Sequence, residues 1–254
     1  MIRLCDLSPV VPMFDGRHDT MIRACLAGFH GGVWADDAEN PSFAVMVSGD
    51  FTFFAGTPDH RAFSEFPREA AKGYTLMVPP DGGWDALLNT WYADALTRMP
   101  RWSILHEPGV FDEAKLRAFR DALPAPYALR QIDEDLYRQS FGAGWSCDLC
   151  ANFRDWPDYR DRGLGFAAVL DGQLVSGVSS YAAFPGGYEL EADTHPDHRR
   201  RGLARACAAA MILECLSRGL YPGWDAANRA SVALAESLGY HEGEPYMSYE
   251  VRFS

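Results

Sequence analysis

The hydrophobic and polar residues of this chain follow two kinds of pattern, which alternate along the sequence: segments typical of strands and segments with the three-to-four-residue period of helices. The short apolar runs Phe43–Val47 and Phe51–Ala55 predict strands, and the turn Ser48-Gly49-Asp50 joins them. The longer amphipathic stretches predict helices. Because strands and helices alternate throughout, the pattern predicts an α/β or mixed α+β protein.

The first half of the chain ends at a proline pair. Its predicted elements are a helix at Met21–Phe29, the two strands above, a helix at Arg61–Ala71, a strand at Tyr74–Val78, a helix at Trp84–Leu96, a strand at Trp102–Leu105 and a helix at Asp112–Leu123. Pro124-Ala-Pro126 then removes two backbone donors. We therefore predict an N-terminal domain over residues 1–125 and a C-terminal domain over residues 126–254.

The second half has a similar order of elements. It predicts a strand at Tyr127–Gln131, a helical region at Glu134–Tyr159, strands at Gly165–Leu170 and Gln173–Tyr181 around an Asp-Gly turn, a strand at Tyr188–Thr194, a helix at Gly202–Arg218, a strand at Tyr221–Ala226, a helix at Asn228–Leu238 and a closing strand at Met247–Phe253. Each half contains a hairpin followed by strand-helix-strand-helix. This repetition indicates a duplicated architecture.

The balance of charged residues limits the kinds of molecule that this protein is expected to bind. The 23 basic and 35 acidic residues give a net charge of −12, which repels phosphate backbones and anionic lipid. We therefore expect no nucleic acid or membrane partner; the acidic surface either attracts an amine or serves solubility. No signal sequence or membrane span is predicted, so we expect a cytoplasmic protein with six reduced cysteines. Cys147 and Cys150 lack a second pair, and no metal site is predicted.

The most informative segment is the arginine-rich turn between Thr194 and Arg205, which separates a predicted strand from a long predicted helix. Four arginines lie within it. The first amides of a helix have no internal partners and carry the positive end of its dipole. Gly202 allows a close backbone approach, and Ala204 keeps the next turn free of bulk. The segment therefore predicts an anion site suited to phosphate.

The spacing Arg199-x-x-Gly202-x-Ala204 resembles the pyrophosphate-binding loop of the GNAT superfamily of N-acetyltransferases. The order of elements from Tyr127 onward resembles that fold, and Leu220–Ser231 resembles two-domain GNAT acetyltransferases of the zwittermicin A resistance type. The segments that begin at Cys25 and Asp50 resemble the N-terminal region of that type. The resemblance implies a C-terminal GNAT acyl-CoA N-acyltransferase fold with a central mixed sheet, and a smaller N-terminal α/β domain for which a GNAT-like fold is one alternative.

The resemblance implies acetyl-CoA as co-substrate. In GNAT proteins the fourth and fifth strands splay apart and expose strand-edge groups to pantetheine, while the loop amides hold the pyrophosphate. Carried over by position, the cofactor-binding residues are Ala192, Asp193, Thr194, Arg199, Arg200, Arg201, Gly202, Leu203, Ala204, Arg205 and Asn228. Asn228 is also a preferred N-cap residue, so it has a structural alternative.

Acetyl transfer needs a neutral amine, and a carboxylate is the usual base. Glu189, Glu191 and Asp193 alternate along one strand and so share one face. We expect Glu191 to be the base, because it lies two residues from the strand end, with Glu189 and Asp193 as its neighbours. The alternative is an acidic face turned to solvent. His195 is a further candidate for the base. Its place at the mouth of the loop fits the neutralisation of anions better.

One position departs from the family pattern. Many GNAT enzymes carry a tyrosine seven residues after the asparagine, where this chain has Ala235. Tyr240, Tyr181 and Ser180 are the alternatives for the proton donor. We expect an N-acetyltransferase for a small-molecule amine, with the N-terminal half shaping the acceptor pocket. The other hypotheses are a catalytically silent acetyl-CoA-binding module and a structural pairing domain.

Overall fold

The computed structural model describes residues 1–17, 19–71 and 73–253. Its strands are β1 (Ile2–Arg3), β2 (Gly32–Ala35), β3 (Phe43–Ser48), β4 (Phe51–Gly56), β5 (Tyr74–Val78), β6 (Thr97–Ile104), β7 (Ala128–Gln131), β8 (Gly165–Leu170), β9 (Gln173–Phe184), β10 (Gly187–Thr194), β11 (Tyr221–Gly223), β12 (Asp225–Ala226) and β13 (Glu242–Arg252). Its helices are α1 (Thr20–Leu26), α2 (Arg61–Ser64), α3 (Gly82–Tyr92), α4 (Glu113–Asp121), α5 (Glu134–Ser140), α6 (Trp156–Arg162), α7 (Leu203–Ser217) and α8 (Arg229–Leu238).

The chain forms two compact units. Unit 1 contains Met1–Arg101 and the C-terminal segment from Pro245, and unit 2 contains Trp102–Glu244. These bounds differ from the segments 1–125 and 126–254, because α4 packs against α7 in unit 2 and the end of β13 pairs with β5 in unit 1. The proline pair is a local break in the chain, whereas the units depend on pairing between distant segments.

Unit 2 is built on a mixed sheet. Strands β7, β8, β9 and β10 are antiparallel neighbours, and β11 joins β10 in the parallel sense. Helix α7 packs against this sheet, and a cluster that includes Leu136, Leu149 and Tyr159 forms a buried core. Beyond β11, the short β12 pairs with the end of β6 at Trp102 and Ser103. This arrangement confirms the predicted mixed α/β fold with a central mixed sheet.

The second sheet has eight strands in the order β1-β2-β3-β4-β5-β13-β6-β12, and its strands β1 to β5 lie wholly in unit 1. Neighbours β1 to β4 are antiparallel, β4 and β5 are parallel, and β5 and β13 are antiparallel. The core of unit 1 contains Phe43, Phe54, Phe63 and Trp84. Aromatic rings therefore fill much of the interior of this unit.

Several predicted elements change length for identifiable reasons. The helix expected over 61–71 stops at Ser64, and a short 3-10 turn follows Pro67, which has no amide to donate. The region 134–159 divides into α5, a 3-10 turn at Cys147–Leu149 and α6, whose first turn Asp155 caps. The strand expected over 221–226 is interrupted at Trp224. Strands β1 and β2 are short and were not predicted.

Candidate functional site

The edge of β10 is open over its second half. Pairing with β11 covers three residue pairs, from Gly187↔Tyr221 to Glu189↔Gly223, whereas pairing with β9 continues to Thr194. The chain then leaves β11 and pairs as β12 with β6 instead. Within the described residues, the two neighbouring strands therefore part beside Leu190–Thr194, as the resemblance implied for the fourth and fifth strands.

The backbone groups that face this gap follow from strand alternation. The Tyr221 amide donates to the Gly186 carbonyl at 2.8 Å, so even-numbered groups of the strand point towards β11. The amide of Ala192 consequently faces the gap, where it donates to Oε1 of Glu191 at 3.1 Å. A side chain from the strand itself thus takes this donor.

The turn after β10 leads into an uncapped helix. A 3-10 turn at Pro196–His198 is followed by Gly202, which has φ +79° and offers no side chain to cap α7. The first intrahelical bond runs from the Ala206 amide to the Gly202 carbonyl at 3.1 Å, so the amides of residues 203–205 have no partner within the helix. A helix of 15 residues therefore presents free donors and its positive dipole end at this turn.

Three of the four arginines of the turn are held in place by neighbours. Nε of Arg199 donates to the Thr194 carbonyl at 3.2 Å, and the guanidinium of Arg205 lies 4.5 Å from the ring centre of Phe119. Arg201 is bonded to Tyr127, as described next, and Arg200 is exposed. The structure thus gathers the predicted residues 199–205 around the start of α7.

Tyr127 links two residues of the turn. Its hydroxyl accepts from Nη1 of Arg201 at 3.0 Å and pairs with Nδ1 of His198 at 2.8 Å. Arginine has only donors, so the Tyr127 proton is available to His198 Nδ1. Nη2 of Arg201 also donates to the Asp197 carbonyl at 3.1 Å. These bonds hold the turn in one conformation.

The three predicted carboxylates alternate along β10 and so share one of its faces, and none of them is fully exposed. Glu189 is buried, and Glu191 and Asp193 are half-buried. Burial raises the pKa of Asp193 to about 6; the neighbouring carboxylate of Asp148 adds to the rise and Arg199 opposes it. The raised pKa of Asp193 therefore lies close to neutral pH.

This raised pKa implies a measurable stability cost. A carboxyl with a pKa of about 6 in the folded protein and 3.8 as its ordinary value lowers the free energy of unfolding by about 3 kcal/mol at pH 7, and this loss fades as the pH falls from 6 to 4. We expect Asp193→Asn to raise the free energy of unfolding by about 3 kcal/mol at pH 7 and by only about 0.5 kcal/mol at pH 4. Urea unfolding at both pH values measures this difference.

The exposed neighbour Asp148 provides the control. Asp148→Asn removes a like charge without removing a half-buried one, so its gain in stability at pH 7 should be the smaller of the two. An Asp193→Asn protein that is no more stable than wild type at pH 7, or whose gain is as large at pH 4, would contradict the burial argument.

Burial and the nearby carboxylates of Asp148 and Asp193 raise the pKa of the Cys147 thiol. The rings of Trp145 and His195 are 5.7 Å apart in an edge-to-face arrangement, and the thiol of Cys147 donates to the Gly144 carbonyl at 3.4 Å. The six cysteines are free, and burial raises the pKa of Cys150 to about 11. In the described ranges, no three histidine, cysteine, aspartate or glutamate side chains are grouped to hold a metal ion.

Asn228 and the candidate proton donors have structural partners. Oδ1 of Asn228 accepts from the Ser231 amide at 3.0 Å and so caps α8, although the residue is exposed. Ala235 is buried within α8. The Tyr240 hydroxyl donates to the Pro222 carbonyl at 2.8 Å, and burial raises its pKa well above the ordinary value. Oγ of Ser180 accepts from the Leu164 amide at 3.0 Å, while Tyr181 is buried.

Sequence reasoning missed three residues of this site: Tyr127, Phe119 and Asp148. Tyr127 and Phe119 are distant from the turn in sequence and carry no motif of their own. Asp148 stands in Trp145-Ser-Cys-Asp148, where the clustering of aromatic, thiol and acid was an available signal inside a region predicted as helical. Pairing between distant segments brings each of them to the site.

Comparisons with known proteins agree on one family. The model of a family described as GNAT acetyltransferase matches residues 11–249. An uncharacterized N-acetyltransferase of Bacillus subtilis (strain 168), YdfB, is 28% identical over 256 residues, which cover 95% of this chain and 94% of the relative. The [ribosomal protein bS18]-alanine N-acetyltransferase of Escherichia coli (strain K12) is 29% identical over 92 residues, 35% of this chain and 62% of that protein.

Solved structures extend the likeness to the whole fold. The crystal structure of a GCN5-related N-acetyltransferase-like protein from Streptococcus suis 89/1591 has a TM-score of 0.91 and 37% identity, and the match covers 97% of this chain and 98% of that one. An acetyltransferase from Novosphingobium aromaticivorans DSM 12444, assigned to the GNAT family, has a TM-score of 0.54 and 16% identity over 86% of this chain and 91% of the other, which is a likeness of fold alone. Among the described residues, no helix combines the length and the apolar character that a membrane crossing requires.

Proposed function

Because the chain belongs to the GNAT acetyltransferase family, we propose that it transfers an acetyl group from acetyl-CoA to the amine of a small molecule. The observation that carries the proposal is the pair of features in unit 2: the open edge of β10, and the uncapped N-terminus of α7 next to it. One offers backbone groups to an extended amide chain, and the other offers free amides to an anion.

The residues present fit such a co-substrate. Pyrophosphate would lie at the amides of residues 203–205 with the arginine side chains around it, and pantetheine would run along Ala192–Thr194. The amide of Ala192 already donates to a carboxylate oxygen, Oε1 of Glu191, and that oxygen marks where a pantetheine carbonyl could accept. The cap of α8 uses only the side-chain oxygen of Asn228, so its side-chain nitrogen can still donate to a ligand. Helix capping and cofactor contact are therefore compatible roles for this residue.

The chemistry assigned to the strand is proton removal. A carboxylate, Glu191 in our proposal, takes a proton from the ammonium group of the acceptor, and the neutral amine attacks the thioester carbon. A carbon–nitrogen bond forms, the nitrogen gives its second proton to solvent, and the carbon–sulfur bond breaks so that the thiolate leaves. Because Ala235 has no proton to give and Tyr240 is bonded to a backbone carbonyl, we propose that solvent protonates this thiolate.

A small amine is the acceptor class that we favour. The net charge of −12 attracts cations, and the resemblance to the zwittermicin A resistance type supports an amine-bearing antibiotic or related metabolite. The proposed direct test is the release of CoA thiol from acetyl-CoA in the presence of a panel of small amines. Turnover with one class of amine is expected. Binding of acetyl-CoA without turnover on any acceptor would favour the catalytically silent module instead.

Tyr127 gives a test of the phosphate end of the site. Tyr127→Phe removes the hydroxyl that positions Arg201 and His198, and one such hydrogen bond contributes about 1 kcal/mol. We expect KM for acetyl-CoA to rise about 3- to 10-fold with kcat unchanged. Steady-state kinetics at varied acetyl-CoA measures both constants.

Two comparisons separate positioning from general damage. The thioester of N-acetylcysteamine has no phosphates, so its kcat/KM should be the same in wild type and Tyr127→Phe. Tyr74→Phe, in unit 1, removes a hydroxyl that donates to Asp50 and should leave KM for acetyl-CoA unchanged. An equal loss with both thioesters would show that Tyr127 supports the fold rather than the phosphate site.

A further inference from the structure

The two units follow one strand plan. In each, four antiparallel neighbours are followed by a parallel fifth strand: β7 to β10 with β11 in unit 2, and β1 to β4 with β5 in unit 1. In each, the parallel pairing covers three residue pairs. In unit 1 these run from Phe51↔Leu76 to Phe53↔Val78, after which Phe54–Gly56 has no partner in β5. Unit 1 therefore repeats the strand gap that defines the candidate site of unit 2.

The gap in unit 1 is filled by side chains of unit 1. The Leu76 amide donates to the Asp50 carbonyl at 2.7 Å, so even-numbered groups of β4 point towards β5. The carbonyls of Phe54 and Gly56 face the gap for this reason. Nη1 of Arg17 donates to the Phe54 carbonyl at 2.9 Å, and Nε1 of Trp84 donates to the Gly56 carbonyl at 2.9 Å.

Both side chains are packed in place. Trp84 is fully buried, with the rings of Phe43, Phe54 and Phe63 within 6.3 Å of its own ring centre. The guanidinium of Arg17 lies 5.3 Å from the ring centre of Phe53, and burial lowers its pKa. Removal of either donor would leave a strand carbonyl without this partner, which costs stability. Both hydrogen bonds therefore stabilise the folded unit.

The helix start that follows the gap is also closed in unit 1. Helix α2 has four residues, against 15 in α7. Oδ1 of Asp59 accepts from the Arg61 amide at 2.8 Å, and Oδ2 accepts from the Arg61 guanidinium at 2.8 Å. A carboxylate of the chain thus stands at the position where Gly202 leaves α7 open to an external anion.

We infer that unit 1 is a second copy of the acyl-CoA-binding fold whose ligand positions are occupied by its own side chains. Trp84 and Arg17 take the strand-edge carbonyls, and Asp59 takes the helix start. The chain therefore binds one acyl-CoA, in unit 2, and this last step rests on the function proposed above. The first unit keeps the fold of a cofactor domain without an open site for the cofactor.

Calorimetric titration of the full chain with acetyl-CoA tests the stoichiometry. We expect wild type to bind one equivalent. Because Gly202→Val obstructs the turn of unit 2, we expect that variant to have no site that binds acetyl-CoA with wild-type affinity. Gly219→Val is the matched control, because Gly219 has a similar φ of +68° at the other end of α7 and no atom within 4 Å of an added Cβ. It should bind one equivalent.

The outcomes separate this inference from the proposed function. Two equivalents in wild type, or one equivalent of wild-type affinity remaining in Gly202→Val, would overturn the closure of unit 1 while acetyl-CoA binding itself would stand. No binding by wild type would overturn the proposed function and would agree with a closed unit 1. One equivalent in wild type and none of that affinity in Gly202→Val supports both.

Discussion

Replacing Glu191 with glutamine is expected to lower kcat by about 10²- to 10⁴-fold at neutral pH, the range that a positioned general base contributes. Glutamine is nearly isosteric with glutamate, and its side-chain oxygen can still accept from the Ala192 amide, which lies 3.1 Å from Oε1 of Glu191. The fold and the affinity for acetyl-CoA should therefore persist. Steady-state kinetics with a responsive amine measures the loss.

The pH profile distinguishes a missing base from a missing contact. As the pH rises, more of the acceptor arrives as the neutral amine, so the loss in Glu191→Gln should shrink. Glu189→Gln and Asp193→Asn are the matched variants on the same face of β10. They change the field around the acceptor and should mainly raise KM for a cationic amine.

Asp193 is the strongest rival for this role. It is half-buried beside Asp148 and its pKa is about 6, which suits a base near neutral pH. If Asp193→Asn loses turnover while Glu191→Gln keeps it across the pH range, the base is Asp193, two residues further along β10. If all three variants turn over normally, the base lies outside this face.

Gly202→Val is expected to weaken acetyl-CoA binding about 10- to 100-fold, at 1.4 kcal/mol per tenfold. An added Cβ meets nothing closer than Nη2 of Arg205 at 4.0 Å, so it enters the open space in front of the helix start rather than the protein interior. That space is where the anion must approach the amides of residues 203–205. The positive φ of +79° adds about 1–2 kcal/mol of backbone strain for a residue other than glycine.

Gly219→Val separates strain from obstruction in this prediction. It carries a comparable backbone strain after the C-terminus of α7 and leaves the turn untouched. Direct titration should show wild-type affinity in Gly219→Val and reduced affinity in Gly202→Val. Equal affinities in the two variants would mean that the start of α7 does not hold the phosphates.

Much of unit 2 could be predicted because its signals are local. The Asp-Gly turn between β8 and β9, the alternation along β10 and the glycine after α8 each depend on a few consecutive residues. The bounds of the compact units could not be predicted. They depend on α4 packing against α7 and on the end of β13 pairing with β5, and no neighbouring residues encode those choices.

The anion site before α7 could be predicted from consecutive residues: a glycine that allows close backbone approach, four arginines, and the free amides at the start of any helix. Long-range packing sets which strands part beside that turn, which carboxylate lies near Asp148 and which side chains fill the matching gap of unit 1. The environment of a backbone group or a carboxyl depends on segments far away in the chain, such as Trp84 beside Gly56. Those segments reach their positions only when the whole unit packs.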